Sequence, residues 1–166
     1  FRSLTLADPQ DPVVHTIEVT RRCNLACLYC SACARGEHEQ SQDMDEAKAR
    51  RVVALILSSP AEQLQIEFQG GEPLLNWPVV RLILEGVEDG LRGCGSGRLA
   101  RFSLISNFSL MDAEKLDHLA RRGVNLCTSL DGPAEVHDDN RKLLGGSSHA
   151  TVAYWLSVLQ RMKDAG

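Results

Sequence analysis

Apolar residues recur along this chain with two periods that take turns. Val13-Val14-His15-Thr16-Ile17-Glu18-Val19-Thr20 is rich in β-branched residues and predicts a strand. Ala49, Val52, Val53 and Ile56 then repeat at helical spacing behind Asp43, with Glu46 three residues on as in a capping box and Pro60 past the end. Leu64-Gln65-Ile66-Glu67-Phe68-Gln69 alternates with period two and runs straight into Gly70-Gly71-Glu72-Pro73. Asn76 is placed to cap a second helix, with Pro78 in its first turn and Val79, Val80, Ile83 and Val87 as its apolar stripe. Leu99 to Ser106 predicts a third strand with Phe102 and Leu104 on one face. Asp112 opens a third helix carrying Leu116, Leu119 and Ala120, and Gly123 closes it. From Val124 to Leu130 a fourth strand is expected, with Cys127, Ser129 and Asp131 on one face and Val124, Leu126 and Leu130 on the other. Ser147 or Ser148 caps a fourth helix striped by Val152, Trp155, Leu156 and Leu159, and Trp155 and Trp77 read as packing residues.

Four strand-helix units with short connections imply parallel strands, either in an α/β barrel or in an open α/β sheet. Both architectures put their sites at the C-terminal ends of the strands. Each strand here ends in a polar or glycine-rich loop: the cysteine loop, Gly70 to Pro73, Ser106-Asn107, and Ser129 to Gly132. These loops are expected to meet on one rim, although Ser106-Asn107 can also be read as a simple turn, and His137 as a residue bonded only to its own loop. Residues 1–12 read as an irregular lead-in and residues 35–42 as a solvated loop.

The 166 residues match roughly one ordinary domain, and a 43% hydrophobic fraction can build a core. The chain opens on Phe1 and closes on Gly166 directly after a helical pattern, so both ends read as cut from something longer. A net charge of −4 without a dense Lys/Arg run argues against a nucleic-acid backbone as the main partner. No apolar stretch approaches the ~20 residues of a membrane span, and no signal layout is present, so a soluble, cytoplasmic protein is expected.

Four of the six cysteines fall between Cys23 and Cys33, a crowding unlike a secreted disulfide framework. Cys23, Cys27 and Cys30 follow the first strand with gaps of three and two residues. Thiolates this close can converge on one soft metal centre, and three ligands to a four-iron cluster would leave one iron open. With Cys33 as a fourth sulfur, the same loop could hold zinc or a fully ligated electron-transfer cluster, without other chemistry. Cys94 and Cys127 stand alone and read as small buried or loop residues.

The pairing of Cys23-x3-Cys27-x2-Cys30 with Gly70-Gly71-Glu72-Pro73 resembles the radical S-adenosylmethionine enzymes. The resemblance implies that Cys23, Cys27 and Cys30 hold a [4Fe-4S] cluster whose open iron binds S-adenosylmethionine, cleaved reductively to a deoxyadenosyl radical. It further implies that Tyr29 lies against the adenine and that Gly70, Gly71 and Glu72 receive the cofactor's amino group. Ser129, Asp131 and Arg141 would contact ribose and carboxylate, while Cys33 would be a spectator. The order of motifs is similar to the peptide and sulfatase maturases of the SPASM-type branch, most nearly to a maturase of the His-Xaa-Ser peptide system. That likeness implies a peptide or protein substrate and a low-potential electron donor such as ferredoxin or flavodoxin. Since the family barrel has six units, the expected fold is α/β, a partial (β/α) barrel of about four parallel units. Residues 13–166 would then be the N-terminal part of the core domain, with any auxiliary-cluster domain beyond it. No residue here reads as a substrate-side acid or base.

Overall fold

The computed structural model describes residues 13–32, 35–36, 38–95 and 97–165, so the lead-in of residues 1–12 and Cys33 lie outside the described residues. The strands are β1 (Val13–Glu18), β2 (Arg22–Cys23), β3 (Leu25–Cys27), β4 (Arg35–Gly36), β5 (Gln63–Gln69), β6 (Leu99–Ile105), β7 (Asn125–Cys127) and β8 (Arg141–Leu143). The α-helices are α1 (Glu46–Ser58), α2 (Trp77–Cys94), α3 (Ala113–Ala120), α4 (Ala134–Asn140) and α5 (Ser148–Ala165), with a 3-10 turn at Pro73–Asn76 leading into α2.

Four strands form one parallel sheet in the order β1-β5-β6-β7. Neighbours in space are therefore neighbours in sequence, without the order reversal that marks a doubly wound open sheet. This is the wall of a barrel. In the register Ile17↔Phe68↔Leu104, one set of alternate side chains faces the helices, and Leu64, Ile66, Phe68, Phe102 and Leu104 are buried there with Ile56, Ile83, Leu84 and Leu119 of the helices. Each such residue contributes about 1.5–3 kcal/mol. The opposite set, Val14, Gln65, Arg101 and Asn125 among them, is exposed. The sheet thus has an apolar helix-covered face and a polar open one.

The caps show where long-range partners override local pattern. Asp45 caps α1 by accepting from Lys48 N, whereas Asp43 has been claimed by the cysteine loop: Arg22 grips it with Nε at 2.8 Å and Nη2 at 2.6 Å, and Thr20 donates to it. Asn76 stands at the start of α2 but makes no side-chain cap; its amide reaches Val19 O at 2.9 Å and Met44 O at 3.0 Å. Asp112 does cap α3, accepting from Lys115 N at 2.8 Å.

The expected fourth strand is confined to Asn125–Cys127, because β6 ends at Ile105 and Ser106 N takes the last carbonyl, that of Cys127. Beyond it Leu130 is exposed rather than packed, and Leu156 of α5 is exposed too. Cys94 and Cys127, read as small buried or loop residues, are both exposed and lie in regular elements, at the end of α2 and of β7. The loop of residues 35–42 contributes β4, which pairs with β2. Among the described residues, no helix is long and apolar enough to cross a membrane.

Candidate functional site

Two small ribbons hold the cysteine loop at the C-terminal end of β1. Cys23 ends β2, and β3 pairs antiparallel with β8 so that Cys27 stands opposite Arg141. Leu28 N donates to Asn140 O at 2.9 Å, and a turn from Cys27 O to Cys30 N brings the third thiol round. The three half-buried thiols line one cavity of about 270 Å³, with Gly70 and Gly71 on one side and Ser129 and Arg141 on the other. Tyr29, Ser106 and Asn107 complete its wall. Two larger depressions, of about 700 and 550 Å³, lie behind the cysteine loop and between α1 and α2. The first shares only Cys23 of the three thiols, and the second is a helix surface whose Arg50 and Arg81 are paired with Glu46 and Glu85.

Burial pushes the Cys23 thiol up to about 11, against the pull of the Leu25 N–H on its sulfur. Burial also raises Cys27, with Arg141 opposing. A tetrahedral zinc with Zn–S bonds of about 2.3 Å would need sulfurs about 3.8 Å apart. Among the described residues, no three His, Cys, Asp or Glu side chains converge closely enough for a single ion. Three soft thiols on one cavity wall are the donor set of an iron-sulfur centre.

The Gly70 to Pro73 loop is stitched to the chain just before Cys23. Gly71 N donates to Thr20 O at 2.9 Å and Glu72 N to Arg22 O at 2.7 Å. A Cβ on Gly70 would lie 2.1 Å from Thr20 O, and one on Gly71 2.1 Å from Arg22 O. Both glycines are thus needed for contact with the cysteine loop's own backbone.

Glu72 is fully buried, and its carboxylate is turned inward. Oε1 accepts from Leu74 N at 2.9 Å and Ser106 Oγ at 2.8 Å, while Oε2 accepts from Asn107 N at 2.8 Å. Burial raises its pKa, and these three donors oppose the rise. In Glu72→Gln an amide N–H must face one of these donors, so the variant is expected to lose about 1–3 kcal/mol in urea unfolding. An unchanged midpoint would contradict this placement.

Around Arg141, Tyr29 donates its hydroxyl to Asp131, Arg141 Nε donates to Asp131 Oδ1 at 3.0 Å, and the guanidinium lies 5.2 Å from the Tyr29 ring centre. The hydrogen bond from Tyr29, aided by Arg141 and opposed by burial, holds the Asp131 carboxyl below its ordinary value. Ser129 lines the cavity beside this group. All ten residues named from the sequence therefore lie in or around one pocket.

The sequence reading missed α4 and the role of His137, which is buried and accepts from Asp131 N at Nδ1, 3.2 Å away. Pro133 before Ala134, with Glu135 in the first turn and His137 in the last, was the available signal. Burial lowers the His137 pKa, so the unfolded imidazole takes up its proton first as pH falls. This group's contribution to stability is therefore full above about pH 6.5 and is lost as pH drops below it. His137→Phe should flatten the fall in urea midpoint between pH 7.5 and 5.5, and equal slopes in both proteins would refute it.

The chain is 35% identical over 152 residues to the AdoMet-dependent heme synthase of Nitratidesulfovibrio vulgaris, covering 90% of this chain and 36% of that protein. It is 32% identical over 120 residues to the PqqA peptide cyclase of Gluconobacter oxydans, covering 70% and 29%. The solved structure of anSMEcpe with bound AdoMet superposes with a TM-score of 0.76 at 23% identity, covering 92% of this chain and 42% of that one; a second, with AdoMet and the Cp18Cys peptide, gives 0.74 at 23% identity, covering 92% and 40%. At that identity the likeness establishes the fold, a partial radical SAM barrel. The chain spans less than half the length of each of these proteins. The model of the Radical SAM superfamily, enzymes that use a [4Fe-4S] cluster and S-adenosylmethionine, matches residues 17–166, and the chain belongs to that superfamily.

Proposed function

We propose that this chain is the N-terminal, cofactor-binding part of an enzyme that starts radical chemistry on a peptide or protein. The observation that carries this reading is the single cavity in which three cysteine thiols face Gly70, Gly71 and Arg141. Cys23, Cys27 and Cys30 would hold a [4Fe-4S] cluster and leave one iron for the amino and carboxylate groups of S-adenosylmethionine. Bound together, cluster and cofactor supply a deoxyadenosyl radical by reductive cleavage of the sulfonium.

The residues of the chain bind and orient. Because the Glu72 carboxylate is committed inward, the amino group would be received by backbone carbonyls of the Gly70–Gly71 loop, with Glu72 fixing that loop's shape. Arg141 directs Nε to Asp131 and lines the cavity, where its guanidinium suits the cofactor's carboxylate. Asp131 and Ser129 suit ribose hydroxyls, and Tyr29 offers a ring face to the adenine.

A peptide substrate is supported by the likeness to the PqqA peptide cyclase. A tetrapyrrole is the second reading, favoured by the 35% identity to a heme synthase. The open face of the sheet favours the peptide: Gln65, Glu67, Ser103 and Asn125 offer hydrogen bonds to amides, whereas a porphyrin would need a broad apolar wall. The rest of the barrel, a ferredoxin- or flavodoxin-type electron donor and a cytoplasmic setting complete the proposal.

The test is anaerobic reconstitution of the protein, reduction with dithionite, and assay of deoxyadenosine after adding S-adenosylmethionine. Deoxyadenosine is expected. Its absence at a full iron complement would contradict the reading.

A further inference from the structure

Asn107 follows β6 and joins its own loop to the cysteine loop and the Gly70 to Pro73 loop. Its backbone N–H is held by Glu72 Oε2 at 2.8 Å. Its side-chain Oδ1 accepts from Ser109 N at 2.8 Å, which fixes the orientation of the amide: an acceptor must face Ser109, so the NH2 group faces the cysteine loop. The two amide protons then have two partners, Asn24 Oδ1 at 3.1 Å and the Cys23 sulfur at 3.8 Å.

The contact is reinforced from both sides. Asn24 Nδ2 donates to Ser109 Oγ at 2.7 Å, and Ser109 Oγ donates back to Asn107 Oδ1, closing a ring of three side chains in which each bond polarises the next. The next residue, Phe108, is buried with φ 62°, a left-handed conformation that costs a non-glycine residue energy. Strain of this kind persists where the surroundings over-determine it, and here Phe108 N is also held, by Ser106 Oγ at 3.0 Å. Among the described residues, neither Cys27 nor Cys30 receives a side-chain hydrogen bond; Cys23 alone does.

We propose that Asn107 is a positioning residue that sets the reduction potential of the centre held by Cys23, by directing an amide proton at that sulfur, and that it locks the cysteine loop to the Gly70 to Pro73 loop. This rests on the reading of Cys23 as a cluster ligand. The physical basis is electrostatic: an N–H aimed at a ligand sulfur stabilises the more negative, reduced state, and hydrogen bonds to the sulfurs are among the terms that set cluster potentials. The Leu25 N–H at 3.4 Å acts on the same sulfur but belongs to the loop itself. Asn107 couples the sulfur to Glu72, 35 residues away, and so to the pocket for the cofactor's amino group.

The test is an EPR-monitored redox titration of the anaerobically reconstituted protein, with iron counted per chain. Asn107→Leu removes both amide protons and should make one-electron reduction roughly tenfold less favourable, a midpoint about 59 mV more negative. Asn107→Asp keeps the acceptor for Ser109 but puts negative charge near the sulfur, so it should shift further in the same direction; it serves also if the leucine variant fails to fold. Asn24→Ala breaks the ring while leaving the amide on Cys23, and should lower the unfolding midpoint without moving the potential. A wild-type protein that takes up no cluster overturns the functional reading underneath. A wild-type cluster whose potential is the same in the Asn107 variants overturns this inference alone, and equal shifts in Asn24→Ala and Asn107→Leu would reduce Asn107 to a structural brace.

Discussion

Replacing any one of Cys23, Cys27 and Cys30 by alanine is expected to abolish deoxyadenosine formation and to remove the cluster or leave it short of iron. Each thiol is half-buried on the same cavity wall, and the residues lining that cavity include no other Cys and no His, Asp or Glu. The loop itself should survive, because its position depends on backbone pairing of β3 with β8 and on the Arg22–Asp43 ion pair rather than on the sulfurs. Far-ultraviolet circular dichroism should therefore change little while iron content and activity fall together. Cys33→Ala is the control that separates this account from a fully ligated electron-transfer centre or a zinc site with Cys33 as the fourth ligand. It should keep the cluster and its response to S-adenosylmethionine. Loss of the centre in that variant would favour the fully ligated alternatives.

Gly71→Ala is expected to be nearly as damaging for a different reason. The new methyl would lie 2.1 Å from Arg22 O, 2.6 Å from Arg22 C and 2.8 Å from Arg21 O. These are backbone atoms, so no rotamer change relieves the overlap, and the two loops must separate. Separation breaks the bonds from Gly71 N and Glu72 N to Thr20 O and Arg22 O and loosens the buried carboxylate of Glu72. A cost of about 3 kcal/mol, at the upper end of ordinary overpacking, is expected from urea unfolding. Binding of S-adenosylmethionine should weaken along with it. A variant as stable as wild type that still binds the cofactor would mean that the loop contact is dispensable.

Much of the site was legible because its motifs are short and sit where alternating patterns end. Cys23-x3-Cys27-x2-Cys30 and Gly70-Gly71-Glu72-Pro73 each follow a strand whose apolar period is plain, and parallel connection then brings both loops to one rim. The reason for the glycines was less visible. Read alone they suggest room for a cofactor, while the structure spends them on contact with Thr20 and Arg22. Glu72 is expected from the resemblance to receive the cofactor's amino group, yet its carboxylate is taken up by Ser106 and Asn107, 34 and 35 residues away. Asp43 followed a sound capping pattern and lost to Arg22, which no local rule pairs with it. The ribbons β2/β4 and β3/β8 are two and three residues long, too short to show a period. What pattern could not supply was partner choice across the chain, and partner choice is what turns the side chains at this rim inward or outward.

The central claim is that three cysteines hold a cluster with one iron left for the cofactor. The most direct measurement is EPR with electron-nuclear double resonance on the reduced cluster, adding S-adenosylmethionine labelled at its amino nitrogen and carboxylate. The account predicts a changed spectrum and hyperfine coupling from both labels, reporting their direct attachment to an iron. A spectrum indifferent to the cofactor, from a protein with a full complement of iron, would contradict it.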